Sequence, residues 1–452
     1  MLDIHPKLKF SLVRAMALLN VVGTLCCFYC LLDAPHRLYL LIVIPSAYTI
    51  LFLMYQKAFN FKSPGLSMFM LIAFLRYIIM PLAILWTREL SQISYGIWYL
   101  DQAIFLMLFE MLAMMCVIRF VNISFPTQTN PPRISKIVKI GAISLFLLLL
   151  LSGKMNIVNL SILERTTDSA THEAIAGPLA LLWNAVRIFV FSCLVYDIRK
   201  KFIHSVWLTT LIGLLYIYIV YTGQTEISRW QTVLTLSAVM FYLFKLYPKS
   251  RKTILFICLL PGMILLTSAT LHKNTSLQLS SHLHASEVIS DIFTPTIMDI
   301  YFAGPVNINN AIVVKQSNRI GLESMFYDIF QNFPTLSHYV NSKKSSVNTY
   351  NQFLFRNDQI LPLIGQSVIW FSYALAPLLS VLSVLAFKYF DAKYLQSCSI
   401  YTFLYAFIST WLSVAPILNA TICLASLYVL IPVFMLFKIS SVFHFHSLRN
   451  AQ

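Results

Sequence analysis

The feature that most constrains this chain is a succession of apolar runs, each about 17 to 25 residues long, the length that carries a helix across the hydrocarbon core of a bilayer. Twelve can be read: 10–32, 38–56, 64–86, 97–118, 138–153, 177–198, 205–222, 229–247, 253–271, 365–387, 397–415 and 417–437. Only 11% of the 452 residues are charged, 58% are hydrophobic, and the mean hydropathy is +0.74. A water-soluble domain needs roughly a quarter of its residues charged to cover its surface, so a soluble globular enzyme is excluded. In lipid every backbone polar group must be satisfied within the segment, and helices do this. The expected fold is an all-α polytopic membrane protein of about 12 transmembrane helices.

The 33 Lys and Arg against 17 Asp and Glu give a net charge of +16. Such an excess marks either a nucleic-acid partner or basic cytoplasmic loops, and the placement of the charges decides between them. With the amino terminus inside, twenty of the 33 fall on cytoplasmic connections or the two ends. The short outer connections hold only Arg37, Arg88, Lys154, Arg165 and Arg229. This bias places both termini in the cytoplasm, with the first run read as an uncleaved signal anchor. No basic stripe with interleaved aromatics remains to argue for nucleic acid.

One outer connection is out of scale. Residues 272–364 form a loop of about 93 residues, far above the usual length of a structureless connection, and divide the chain into helices 1–9 (1–271), the loop, and helices 10–12 with a cytoplasmic tail (365–452). Within the loop, Asp299, Tyr301, Asn307, Asn309 and Asn310 surround the Gly304-Pro305 pair. This dense donor and acceptor set is of the kind that binds sugars, although asparagines also belong in turns. In 321–333, Leu322, Phe326, Ile329, Phe330 and Phe333 share one helical face, opposite Glu323, Asp328 and Gln331. That pattern fits a short helix on the membrane surface or a lid packed on the bundle.

Charges inside spans are costly and are functional-site candidates. Arg76 and Glu110 lie at comparable depths and can pair with each other. Arg187, near the middle of the sixth run, has no obvious partner, and Asp101 sits nearer the outer face. Arg229 opens the eighth run, either gripping an anionic head group with several donors at once or anchoring the interface beside Trp230. The eight cysteines lie in or beside apolar runs, where they read as packing residues. No P-loop, nucleophile elbow or metal-ligand spacing is present, so no metal or cofactor is expected.

The number of runs, the single large loop late in the chain, and the segment Asp299-Ile-Tyr-Phe-Ala-Gly-Pro-Val-Asn307 resemble the Wzy-type oligosaccharide repeat-unit polymerases of bacterial O-antigen and capsule assembly. The stretch Asn357-Asp-Gln-Ile-Leu-Pro-Leu-Ile-Gly365 is similar to the acidic, Gly-containing segment after the loop in that family. The turn ending in Arg229 resembles its Gly-x-Arg-like turn, with Gly223 farther away than usual. The resemblance covers most of the chain by architecture and about 30 residues by motif.

It implies a metal-independent glycosyltransferase of the bacterial cytoplasmic membrane, working on its outer side. The enzyme would move a glycan from one undecaprenyl-pyrophosphate carrier to a second lipid-linked repeat unit, and a chain-length regulator is a possible partner. Such chemistry needs positive charge for the departing pyrophosphate and a base for the acceptor hydroxyl. Arg229 and Arg187 are assigned to the pyrophosphate, with Arg165 or Arg319 as a second clamp. His338 is assigned as base with Asp299 as its rival, and Tyr301, Asn307 and Asp358 are assigned to the sugar. An O-antigen ligase-like enzyme shares the layout and differs in its acceptor. A lipid-linked oligosaccharide flippase would explain the spans and Arg187 but has no need of the long loop.

Overall fold

The computed structural model describes residues 6–91, 96–125, 134–151, 178–202, 205–222, 229–277, 294–318, 320–331, 339–354 and 360–449, and among them there is no strand. The helices are α1 (Pro6–Leu31), α2 (Val43–Met54), α3 (Pro64–Phe74), α4 (Met80–Thr87), α5 (Leu100–Phe120), α6 (Lys136–Leu151), α7 (Pro178–Lys201), α8 (Val206–Thr222) and α9 (Arg229–Leu246). They continue as α10 (Arg251–Leu277), α11 (Pro295–Phe302), α12 (Pro305–Asn318), α13 (Glu323–Phe330), α14 (Ser346–Phe353), α15 (Leu363–Phe371), α16 (Leu378–Gln396), α17 (Tyr401–Ser413) and α18 (Ala420–Arg449).

Among the described residues, seven segments are long and apolar enough to cross a membrane: Leu12–Leu31, His36–Met54, Pro64–Thr87, Leu100–Phe120, Leu181–Lys201, Tyr373–Gln396 and Ala420–Ser440. Val206–Tyr221, Trp230–Leu246 and Tyr401–Ile417 are apolar and shorter. The chain is an all-helical protein built for a membrane. Helix α5 illustrates why. Leu100, Ala103, Ile104, Met107, Glu110, Met111 and Met114 recur at helical spacing and are buried, while Phe105, Phe109 and Leu112 on the other side are exposed. A soluble helix would put polar groups there; lipid accepts the aromatics.

The third span is α3 and α4 joined by one π-helical turn, Leu75–Ile79. Pro81, which has no N–H to donate, follows this turn, and the wider turn absorbs the register that a proline disrupts. The turn carries Arg76. The tenth run, expected as one span over 365–387, is broken. Helix α15 ends at Ser372, whose backbone lies at φ +86°, ψ 178°, and the spanning segment begins only at Tyr373. Every residue from Leu363 to Trp370 is buried, so their apolar character reflects protein contact.

By contact the chain clusters into two units. The first is Met1–Ser124, Leu283–Asp391 and Trp411–Ala425; the second is Phe125–His282, Ala392–Thr410 and Ser426–Gln452. In the first unit α11 packs on α4, and α12 packs on α5 and α15. Ala303 to Val314 are all buried, so this middle stretch of the 272–364 connection is core. Helix α13 presents Leu322, Phe326 and Phe330 outward and buries Ser324 and Asp328. An outward apolar face is the arrangement of a surface helix meeting lipid. In the second unit α8 packs on α7, α9 and α10, and α6 packs on α7.

Candidate functional site

In the first unit the polar centre is a pair inside the spans. Arg76 Nη2 lies 2.7 Å from Glu110 Oε2, with the side chains 1% and 0% exposed. The Ser380 hydroxyl donates to Glu110 Oε1, Arg76 Nη1 donates to Pro416 O at 3.3 Å, and the guanidinium carbon is 5.4 Å from the Tyr77 ring centroid. The two charges read from the sequence at one depth therefore form an ion pair, although Arg76 Nε is buried without a hydrogen-bond partner.

Asp299 stands above this pair, within electrostatic reach of Arg76. The turn after α11 places Ala303 in the left-handed region (φ 54°) and folds the chain back so that α12 begins beside the Asp299 side chain. The backbone N–H groups of Val306 and Asn307 donate to its two oxygens, each at 3.1 Å. This is a carboxylate seated on the first turn of a helix, where unpaired N–H groups and the helix dipole favour it. Gly304 is required by space, because a Cβ there would overlap Asp299 Oδ1 and come 3.0 Å from Met80 Sδ. Burial pushes the Asp299 carboxyl up to about 7, opposed by the two backbone amides and by Arg76.

The asparagines lie on a helix, and their hydrogen bonds are made within the protein. Asn307 Nδ2 donates to Asp299 O at 2.9 Å, and its Oδ1 accepts from the Tyr350 hydroxyl at 2.9 Å. Asn309 bridges to the start of α5, donating to Gly96 O at 2.6 Å and accepting from Tyr99 N at 2.9 Å. Tyr301 is half-buried on α11. A second knot ties α13, α14 and α15: Asp328 accepts from the N–H and hydroxyl of Ser346 and from Trp370 Nε1 at 3.1 Å. Gln366 donates to Ser346 Oγ at 3.1 Å and accepts from Ala420 N at 2.7 Å.

The second unit holds a cation of a different kind. Arg187 is the tenth residue of α7 and 7% exposed, its Nε has no hydrogen-bond partner, and no described carboxylate pairs with it. The acid on the same helix, Asp197, is held by Lys139 at 2.7 Å. The Tyr216 hydroxyl on α8, close enough to act on Arg187 electrostatically, is buried and unbonded, as is Thr235 Oγ1 on α9. At 1.5 Å per residue, Arg187 lies about 14 Å from the start of α7, Tyr216 about 9 Å from the end of α8, and Thr235 about 9 Å from the start of α9. Side chains lean toward a helix's amino terminus, which lifts the guanidinium toward the level of the other two. An isolated charge in an apolar interior is expensive, and Arg187 with the nearby Tyr216 hydroxyl offers an anion a guanidinium and a hydroxyl.

Of the residues assigned from sequence, Asp299 and Asn307 come together in the first unit, where Tyr301 lies on the helix of Asp299, and Arg187 lies in the second. Arg229 is the first residue of α9. His338, Arg165, Arg319 and Asp358 lie outside the described residues. Sequence reasoning passed over Tyr216, since a tyrosine in an apolar run carries no signal until a neighbouring helix brings an arginine to it. No group of three or more metal-ligating side chains occurs among the described residues. No protein-family model, no curated protein and no solved structure matches the chain.

Proposed function

We propose that the chain is an integral-membrane glycosyltransferase that polymerises undecaprenyl-pyrophosphate-linked oligosaccharide repeat units into an O-antigen or capsular polysaccharide, on the outer side of a bacterial cytoplasmic membrane. The observation that carries this reading is Arg187, a buried cation within a membrane helix, with no carboxylate paired to it among the described residues and the unbonded Tyr216 hydroxyl within electrostatic reach. A counter-charge delivered by a membrane-anchored substrate would complete it, and a lipid-linked pyrophosphate brings one from the bilayer. As the bond to the donor sugar breaks, the leaving oxygen gains negative charge, and donors already in place stabilise it without reorganisation. Arg229 at the start of α9 is proposed to meet the same pyrophosphate, with Arg165 or Arg319 as second clamp. His338 is proposed as the base that takes the acceptor hydroxyl's proton. Asp299, with both oxygens engaged by α12, fits a positioning role better than that of rival base.

A second reading, a lipid-linked oligosaccharide flippase, draws on one observation. Residues 303–314 and 363–370 are buried core of the first unit, so the long connection is in part scaffold. Deleting the gene and resolving surface glycans on a gel separates the alternatives. A polymerase defect leaves single repeat units on the lipid core, a ligase defect leaves long chains on the carrier, and a flippase defect leaves neither.

A further inference from the structure

Beside the first unit's polar centre, a groove of about 500 Å³ runs along the outward side of α5, lined by Gln102, Phe105, Leu106, Phe109 and Tyr373. Four of these recur at three- and four-residue spacing, so the groove follows the helix axis for about 10 Å. Its two ends differ. Gln102 is the third residue of its span and Tyr373 the first of its own, so this end lies at the membrane surface, and the Phe109 end lies within the hydrocarbon. Phe105 and Phe109 are exposed on the lipid-facing side.

A cation stands at the surface end. Lys315 Nζ lies 5.3 Å from the Tyr373 ring centroid and donates to Val368 O, and Gln316 Nε2 donates to the Tyr373 hydroxyl at 3.3 Å. Lys315 makes no ion pair among the described residues. Its ammonium is held below the usual lysine range by burial alone. An apolar furrow opening into lipid, with a lone half-buried ammonium where it meets water, has the polarity of one phospholipid: chain in the furrow, phosphate at the lysine.

We infer that this groove binds an anionic bilayer phospholipid, one acyl chain along Phe105, Leu106 and Phe109 and its phosphodiester at Lys315. A single ammonium matches the single charge of a phosphodiester. A pyrophosphate carries two or more, and among the described residues no cation lines the groove itself, Lys315 standing at its end against Tyr373. The site is therefore separate from the proposed Arg187 substrate site and does not depend on that reading.

The test uses the full-length protein, purified in detergent and returned to nanodiscs of phosphatidylglycerol or phosphatidylcholine with identical chains, with retained lipid counted by native mass spectrometry. Wild-type protein retains phosphatidylglycerol in preference. Lys315→Ala weakens that retention about fivefold, the fold-change equivalent to one basic residue at an anionic lipid surface, and Lys315→Arg restores it. Phe105→Ala, at an exposed position whose loss leaves the core intact, weakens retention of both lipids. Equal retention of the two lipids, undiminished retention by Lys315→Ala, or displacement of phosphatidylglycerol by a polyprenyl pyrophosphate at lower concentration would each overturn the inference.

Discussion

At the scale of single residues, what the side chains of 299–310 do is set by where their hydrogen bonds go. From sequence, three asparagines, a tyrosine and an aspartate beside Gly304-Pro305 read as a sugar-binding set or as turn chemistry. Neither reading could be chosen, because sequence does not reveal that Asn309 faces Tyr99 or that Asn307 faces Tyr350 across more than 40 residues. The Asp299 seat yields a pH prediction. The folded protein holds this proton up to about pH 7, whereas the ordinary aspartate value is 3.8. The stabilisation is complete below the lower value and is lost as pH rises through the upper one. Melting temperature in detergent should therefore carry a component that declines over that interval, and Asp299→Asn should flatten it; an unchanged slope would remove Asp299 as its source. Arg76 and Glu110 were legible as charges at one depth, and their pairing has a measurable signature. Arg76→Met strands a buried carboxylate and should cost about 3 to 5 kcal/mol. Arg76→Met with Glu110→Met should recover most of that loss, and additive losses would mean the two do not act as a pair.

At the scale of elements, helices were legible as apolar runs, whose ends fall close to the helix ends at α5, α8 and α9; of these three only α5 is among the seven described segments long enough to cross a membrane. The broken tenth run was not legible. Residues 363–371 are as apolar as a span because protein surrounds them, and hydropathy does not separate burial in protein from burial in lipid. The break itself sits on one residue: Ser372 occupies a backbone region that only glycine enters without strain. Ser372→Gly should raise stability by about 1 kcal/mol, read as a higher melting temperature; a lower one would show that the serine side chain contributes more than the strain costs. Helix α13 was legible in its two faces, yet the sequence left open which face turned inward. Asp328 decides it, since the donors from Ser346 and Trp370 draw the polar face into the unit and leave Phe326 and Phe330 outside.

At the scale of the whole molecule, the net charge of +16 is read from the sequence as chiefly a matter of orientation, which leaves few charges inside the apolar runs. Arg187 was legible as a charge within a run. The nearby Tyr216 hydroxyl was not, because Tyr216 comes from a helix separated from it by a turn of unrelated sequence. The proposed role of the Arg187 surroundings is to receive the anionic part of a lipid-linked glycan. The direct measurement is to express Arg187→Ala in a strain lacking the chromosomal gene and to resolve surface glycans on a gel, with the variant protein quantified in the membrane fraction. The account predicts single repeat units at wild-type protein level, with Arg187→Lys restoring short chains because charge returns without the bidentate geometry. A wild-type ladder from Arg187→Ala would contradict it.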